Sequence, residues 1–302
     1  MSLYENMKGL FLKAERELEK DERIMLTNAK YFFVFCVFMI TAMLVYYSST
    51  GDEFFPFFAL GLTAIVFWLH SDKTGKIFMI AAASIGYIHE VLGTMEGWFV
   101  YQSGFFFQTP VWLIPGYAAM FWACYNLWKQ SRKRYKLKEK NFRLLAVATI
   151  ALIFILDASL YTFRPLDWAY DIVFIGIILL LFRAPADRHL AYITFLLTAF
   201  DELLGYSLGA WQHYMVPGQV STLNGFVDTT ASGFATNFSF TGITASYLLF
   251  LWGAIKFAEF VQKGKLPPAK DFMLLGGALA IKTYTWTASS LVIPIVLKSL
   301  GL

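Results

Sequence analysis

The sequence predicts an all-α, polytopic membrane helix bundle of about nine transmembrane helices, and three observations carry this prediction. Of the 302 residues, 58% are hydrophobic and 15% are charged, whereas soluble domains average about 45–50% apolar and about 25% charged residues. The apolar residues gather into runs near the ~20 residues that a membrane-spanning helix needs. Lysine and arginine concentrate in alternate links between these runs.

The apolar runs define nine predicted helices in order along the chain. They cover residues 31–48, 54–70, 77–95, 110–128, 144–163, 166–182, 190–208, 240–258 and 272–297. Each run is long enough, or nearly so, to cross the hydrocarbon core as a helix.

The basic residues predict the orientation of the bundle. Of 25 Lys and Arg residues, 22 lie on one side: six in residues 1–30, two in 71–76, eight in 129–143, two in 183–189 and four in 256–270. The intervening links carry a single arginine, Arg164. The positive-inside rule therefore places the N-terminus in the cytoplasm and, after nine spans, the C-terminus outside.

A repeated motif predicts an internal duplication at an offset of 112 residues. The motif His89-Glu90-Val91-Leu92-Gly93 with Gly97 and Trp98 recurs as Asp201-Glu202-Leu203-Leu204-Gly205 with Gly209 and Trp211. Lys76 and Arg188, which open the same two helices, are also 112 residues apart. An even number of spans per unit gives both copies the same orientation, related by an axis along the membrane normal.

The duplication divides the chain into five predicted parts. Residues 1–29 form a cytoplasmic amphipathic segment, lying on the inner membrane surface or packing on cytoplasmic loops. Residues 30–128 form the first four-helix repeat, 129–143 a basic cytoplasmic linker, 144–258 the second four-helix repeat, and 259–302 a linker with the ninth helix.

Membrane-embedded acids are the candidate catalytic residues, because burying a carboxyl group in the membrane is costly and usually functional. Glu90 shares a helix face with Gly93 and Gly97, and Glu202 stands in the same pattern. If the third and seventh helices meet through their G-x-x-x-G glycines, the two carboxyls face each other and share a proton at neutral pH. Asp157 stands at a similar depth and is predicted to support them. The structural alternative is a buried hydrogen bond to a neighbouring helix.

Other polar residues offer further roles. Lys282 in the ninth helix needs a charge partner, and Asp157 or Asp171 can supply it. A divalent metal held by His89, Asp201 and His213 is conceivable, although no H-x-x-x-H or similar ligand spacing occurs. Aromatic residues near the acids can line a pocket for a flat, long or cationic apolar molecule; they are Trp98, Tyr101, Trp168, Trp211 and Tyr214.

Part of the chain resembles a known enzyme family. The run Glu90-x-x-Gly93-Thr94-x-x-Gly97-x-x-x-Tyr101, within residues 76–128, resembles a motif of membrane carotenoid hydratases, the bisanhydrobacterioruberin and lycopene-type hydratases. Trp98 and Phe99 depart from that pattern. The run Glu96-Gly97-Trp98-Phe99 is also similar to a fragment of emopamil-binding sterol isomerases, although His89 lies too far from Glu96. Both resemblances imply protonation of an isoprenoid double bond, with aromatic rings stabilising a carbocation.

Three functions remain open from the sequence. The first is a membrane enzyme that protonates a double bond of an isoprenoid, carotenoid or other lipid. The second is a proton-coupled transporter built on the repeat, and the third is a structural subunit of a membrane complex. The enzyme mechanism requires no cofactor. Its expected partners are the bilayer and a lipid or isoprenoid; partner proteins are not identified, and no phosphate loop or nucleic-acid-binding patch is visible.

Overall fold

The computed structural model describes residues 28–95, 99–133, 139–160, 165–213 and 240–287. Across these ranges it contains nine α-helices and two three-residue β-strands, in the order α1 (Ala29–Thr50), α2 (Phe54–Leu69), α3 (Lys73–Met95), β1 (Phe99–Tyr101), α4 (Leu113–Lys133), α5 (Glu139–Leu160), α6 (Pro165–Leu181), α7 (Pro185–Leu208), β2 (Trp211–His213), α8 (Phe240–Lys263) and α9 (Ala269–Thr287). The all-α prediction is confirmed, with one helix at each predicted apolar run.

Local signals account for several helix ends. Gly51 follows the last residue of α1 and has a φ of +69°, a conformation that favours glycine. Asp52 then accepts the backbone N–H of Phe54 at 2.9 Å, satisfying a free donor at the start of α2. Pro185 opens α7, where its missing N–H costs nothing. The basic linker predicted at 129–143 begins inside α4, which continues to Lys133 because no glycine or proline interrupts it.

Four helices form the centre of the bundle. Helix α3 packs mainly on α4 and α8, while α7 packs on α8, α5 and α4. Helices α3 and α7 therefore occupy diagonal positions, separated by α4 and α8. The other helices surround them: α1 lies against α7 and α4, α2 against α4, α5 against α7 and α8, and α6 against α8 and α9.

The predicted glycine contact between the third and seventh helices is wrong. A Cβ atom on Gly205 would lie 2.1 Å from the indole of Trp211, so the open face of this glycine is filled by a ring rather than by α3. Gly209 ends α7 with a φ of +74° and has nothing within 4 Å of a Cβ position. Gly97 lies outside the described residues. The ring of Trp211, six residues after Gly205, occupies the space that the backbone of a neighbouring helix would need.

The two strands were not predicted from the sequence. Strands β1 and β2 pair antiparallel, with Phe99 opposite His213, Val100 opposite Gln212 and Tyr101 opposite Trp211. The central pair, Val100 and Gln212, are residues 112 apart. A local two-fold axis therefore relates the strands at the offset that the motifs have in the sequence.

Polar contacts gather at the end of the bundle opposite the strands. Lys129 Nζ contacts Asp72 Oδ2 at 2.7 Å, and Arg183 Nη2 contacts Asp271 Oδ1 at 2.5 Å. Gln262 Nε2 also donates to Thr74 Oγ1 at 2.7 Å. These contacts lie in or beside the basic segments of the sequence, 71–76, 129–143, 183–189 and 256–270.

The helix surfaces indicate association with a membrane. Residues 31–50 and 73–95 form helices whose length and mean hydropathy, 2.0 and 1.4, meet the requirements for crossing a bilayer. Helix α2 is shorter but carries an exposed apolar stripe along its whole length: Phe54, Phe55, Phe58, Leu62, Ile65 and Leu69. Soluble monomers rarely expose such a continuous apolar face.

Candidate functional site

The carboxyl group of Glu90 lies near the strand end of α3, where it is 5% exposed. Tyr101 donates its hydroxyl to Glu90 Oε2 at 2.6 Å, and Tyr117 donates its hydroxyl to Glu90 Oε1. His89 Nδ1 lies 3.9 Å from the same Oε1. Each oxygen of this carboxyl is therefore a hydrogen-bond acceptor, and the group belongs to a satisfied buried network.

The carboxyl group of Glu202, 3% exposed, lies in a matching environment on α7. Trp211 donates its indole Nε1–H to Glu202 Oε2 at 3.0 Å, and Tyr247 donates its hydroxyl to Glu202 Oε1. Because an indole nitrogen can only donate, Glu202 Oε2 must be the acceptor of this bond.

The two carboxyl environments follow one plan. Each glutamate receives one donor from the strand that follows its helix and a second donor from a tyrosine on the next helix. The strand donors are Tyr101 and Trp211, and the tyrosines are Tyr117 and Tyr247.

Aromatic contacts join the two environments into one cluster. The rings of Tyr117 and Tyr247 stack with centroids 6.0 Å apart at 29°. The rings of Tyr101 and Trp211 meet edge-on at 5.9 Å and 61°. Because these ring contacts connect the two environments, the distance between the carboxyls of Glu90 and Glu202 is less than two helix diameters, which is on the order of 20 Å. The aromatic carboxyl cluster is Glu90, Glu202, Tyr101, Tyr117, Trp211 and Tyr247.

Glycines make room for the rings that hold this cluster. A Cβ on Gly86, one turn before Glu90, would lie 2.6 Å from the ring of Tyr117. Gly205 gives Trp211 the same kind of space. Both glycines thus position donors of the two carboxyls, and any larger residue would displace the ring.

An apolar groove ends at the cluster. Its volume is about 830 Å³ including its open side. Helices α1, α2, α4 and α7 supply the apolar walls, with Met39, Met43 and Met120 among the lining residues. Tyr101, Tyr117, Asp201, Trp211 and Tyr247 supply the polar surface. Binding sites for apolar small molecules have this composition, with few polar groups set in a hydrophobic wall.

Asp201 is the one acidic residue among the side chains that line the groove. It is half-buried, and the described residues include no hydrogen-bond donor to its carboxyl. It interacts electrostatically with Glu90 and with Glu202. Three carboxyl groups thus lie close together, of which the two glutamates are hydrogen-bonded and the aspartate faces the groove.

The structure brings together four of the predicted site residues: Glu90, Glu202, Tyr101 and Trp211. Trp98 and Tyr214 lie outside the described residues. Asp157 lies on α5, Trp168 and Asp171 on α6, and Lys282 on α9, but the side chains of these four residues also lie outside the described part. Their predicted roles remain predictions.

No metal centre is found in the described part of the chain, where no group of three or more His, Cys, Asp or Glu side chains could hold an ion. Of the predicted metal ligands, His89 contacts Glu90 and stacks near Phe250 with ring centroids 4.8 Å apart. Asp201 faces the groove. The side chain of His213 is outside the described residues.

Sequence reasoning missed Tyr117 and Tyr247. They stand 27 and 45 residues beyond their glutamates, because more residues separate β2 from α8 than separate β1 from α4. The 112-residue offset therefore does not align them. Searching for a tyrosine in the helix after each repeated motif would have found both.

No protein-family model, curated protein or solved structure matches this chain.

Proposed function

We propose that the chain is an integral membrane enzyme that protonates a carbon–carbon double bond of an isoprenoid, carotenoid or similar lipid. The observation that carries this proposal is an apolar groove that ends at buried carboxyl groups surrounded by aromatic rings. The groove accommodates a hydrocarbon chain, while the carboxyls provide an acid. The resemblance of residues 76–128 to carotenoid hydratases points to the same chemistry.

The reaction has two steps in its hydratase form. The O–H bond of a carboxylic acid breaks, and the two π electrons of the alkene form a new C–H bond. The neighbouring carbon becomes a cation, which the faces of Tyr101, Tyr117 and Trp211 stabilise. A water molecule then forms the C–O bond, and its proton returns to the carboxylate. In an isomerase form, the cation instead loses a proton from an adjacent carbon.

The neighbouring carboxyls help to keep the acid protonated. Glu90, Glu202 and Asp201 interact electrostatically within an apolar environment, where adjacent negative charges are costly. A cluster of this kind retains a proton near neutral pH, as a general acid requires.

Expression in bacteria that accumulate lycopene tests this function. We expect pigment extracts to contain a product heavier than lycopene by one water, or an isomer of altered absorption, which an empty-vector strain lacks. Mass spectrometry and absorption of the separated pigments measure both. If membranes contain the folded protein while lycopene and its precursors are unchanged in mass and absorption, the proposal fails.

We also propose that the nine helices cross the membrane. The N-terminus then lies in the cytoplasm, and the end of the bundle that carries β1 and β2 lies outside. Support comes from the described residues of the basic links, such as Lys129 and Arg183, which lie at the end opposite β1 and β2, and from the exposed apolar stripe of α2. The duplicated four-helix unit is supported by the matched donors of Glu90 and Glu202 and by the register of β1 with β2.

Cysteine labelling tests this orientation. Phe105 is 76% exposed at the strand end and Leu266 is 71% exposed at the basic end. We expect an impermeant maleimide added outside intact cells to label F105C and not L266C, with both labelled after lysis. Cys36 and Cys124 are buried and give little background. The reverse pattern contradicts the orientation.

A proton-coupled transporter is the second candidate, and the two-fold relation between β1 and β2 favours it. Glu90, however, lies five residues before the end of α3, or roughly 8 Å along the helix, whereas carriers usually bind near the midplane. Formation of an altered pigment supports the enzyme over the carrier.

A further inference from the structure

We propose that Asp201 is the group that transfers the proton to the double bond, while Glu90 and Glu202 stay hydrogen-bonded behind the aromatic rings. This inference rests on the proposed function and names the residue that contacts the substrate. The repeated motif points instead to the two glutamates, so the geometry of the groove is what distinguishes the three acids.

The glutamates do not line the groove. Each is at most 5% exposed, and each uses both oxygens to accept hydrogen bonds from tyrosine or tryptophan. A substrate in the groove meets the rings of Tyr101, Tyr117, Trp211 and Tyr247 before it meets either glutamate. Direct proton transfer requires approach to within about 3 Å, which these rings prevent.

Asp201 lies on the wall of the groove instead. It follows Leu197 by one helical turn, and both side chains line the same cavity. A double bond in the groove can therefore contact this carboxyl directly.

Hydrogen bonding also separates Asp201 from the two glutamates. Donors that point at a carboxyl stabilise its charged form. Glu90 and Glu202 each receive two donors, whereas the described residues supply none to Asp201. Among the described residues, Glu90, Glu202 and Tyr247 interact electrostatically with Asp201, and Tyr101 and Tyr117 line the groove with it. Asp201 is therefore the acid whose carboxyl oxygens stay available to a substrate in the groove.

The two glutamates then have a defined role. Negative charge shared by this pair, held behind the aromatic rings, favours formation of a carbocation in front of them. It also favours return of the proton to Asp201 after water has added. The site thus separates a donor that contacts substrate from a hydrogen-bonded pair of carboxyls behind it.

A hydrophobic carbodiimide tests the assignment without a known substrate. Dicyclohexylcarbodiimide reacts with protonated carboxyls that are reached from an apolar phase, and peptide mass spectrometry locates the adduct. With the full chain in detergent at pH 7, we expect Asp201 to be modified more than Glu90 or Glu202 by about tenfold or more. The variant D201N should lose the adduct.

Two matched variants test whether modification depends on Asp201 and on access through the groove. E202Q removes a neighbouring carboxyl that does not line the groove, so the adduct should still form on Asp201, in lower yield because one neighbouring carboxyl is gone. M43W fills the groove without changing any acid, so modification of Asp201 should fall. Preferential modification of either glutamate, or no modification of any of the three acids, overturns the inference.

The outcome is distinguishable from failure of the proposed function. If Asp201 is modified and lycopene is unchanged, the result supports Asp201 as the protonated acid of the groove but contradicts the proposed reaction. If lycopene is altered and D201N retains that activity, the proposed reaction is supported, but Asp201 is not the proton donor.

Discussion

Replacing Glu202 by glutamine should lower turnover by about 10²- to 10⁴-fold, the range typical of acid–base groups, while the protein still folds. Glutamine keeps an oxygen to accept the N–H of Trp211, and its amide can donate to the hydroxyl of Tyr247. The hydrogen bonds survive, but the titratable carboxyl beside the developing cation is lost. We expect the same result for E90Q, whose two tyrosine partners can also reverse donor and acceptor roles.

Pigment conversion and thermal unfolding of the purified protein check this prediction together. E259Q is the matched control, because Glu259 pairs with Lys256 at the basic end, away from the cluster; it should keep full activity. E202L removes the acceptor for Trp211 and Tyr247, and each buried unsatisfied donor costs about 1–3 kcal/mol. Full activity in both E90Q and E202Q, once turnover is established, would show that the glutamates are structural.

Replacing Gly205 by alanine should destabilise the protein by about 1–3 kcal/mol, the usual cost of overpacking, and disturb the donor of Glu202. The added Cβ would lie 2.1 Å from the Trp211 indole, so the ring has to move. Gly61 is the matched control, since a Cβ there meets nothing within 4 Å. G61A should leave stability unchanged or raise it by up to about 1 kcal/mol, because alanine favours the helix.

A double-mutant cycle identifies the cause. W211F removes the indole that the new methyl group meets, although it also removes the hydrogen bond to Glu202. In that background, G205A should cost much less than in the parent chain, and thermal melts in detergent measure the difference. Equal costs in the two backgrounds would mean that Trp211 does not occupy the space beside Gly205.

The sequence determined the helices, though not the two short strands, because helix formation here depends on local pattern. Apolar runs of spanning length predicted a helix at each of the nine positions in the described chain. The alternation of basic links predicted which helix ends lie together, and contacts such as Lys129 with Asp72 join those ends. The repeated motif identified Glu90 and Glu202, since a carboxyl among apolar residues is conspicuous in any sequence.

Only the tertiary structure decided what surrounds those carboxyls. The sequence placed α3 against α7 through glycines, but Trp211 fills the space beside Gly205, and α4 and α8 separate the two helices. Tyr117 and Tyr247 reach the glutamates from helices 27 and 45 residues away, a separation that no local pattern encodes. Asp201 is adjacent to Glu202 in sequence, yet one faces the groove and the other faces its donors, because successive residues on a helix point in directions about 100° apart.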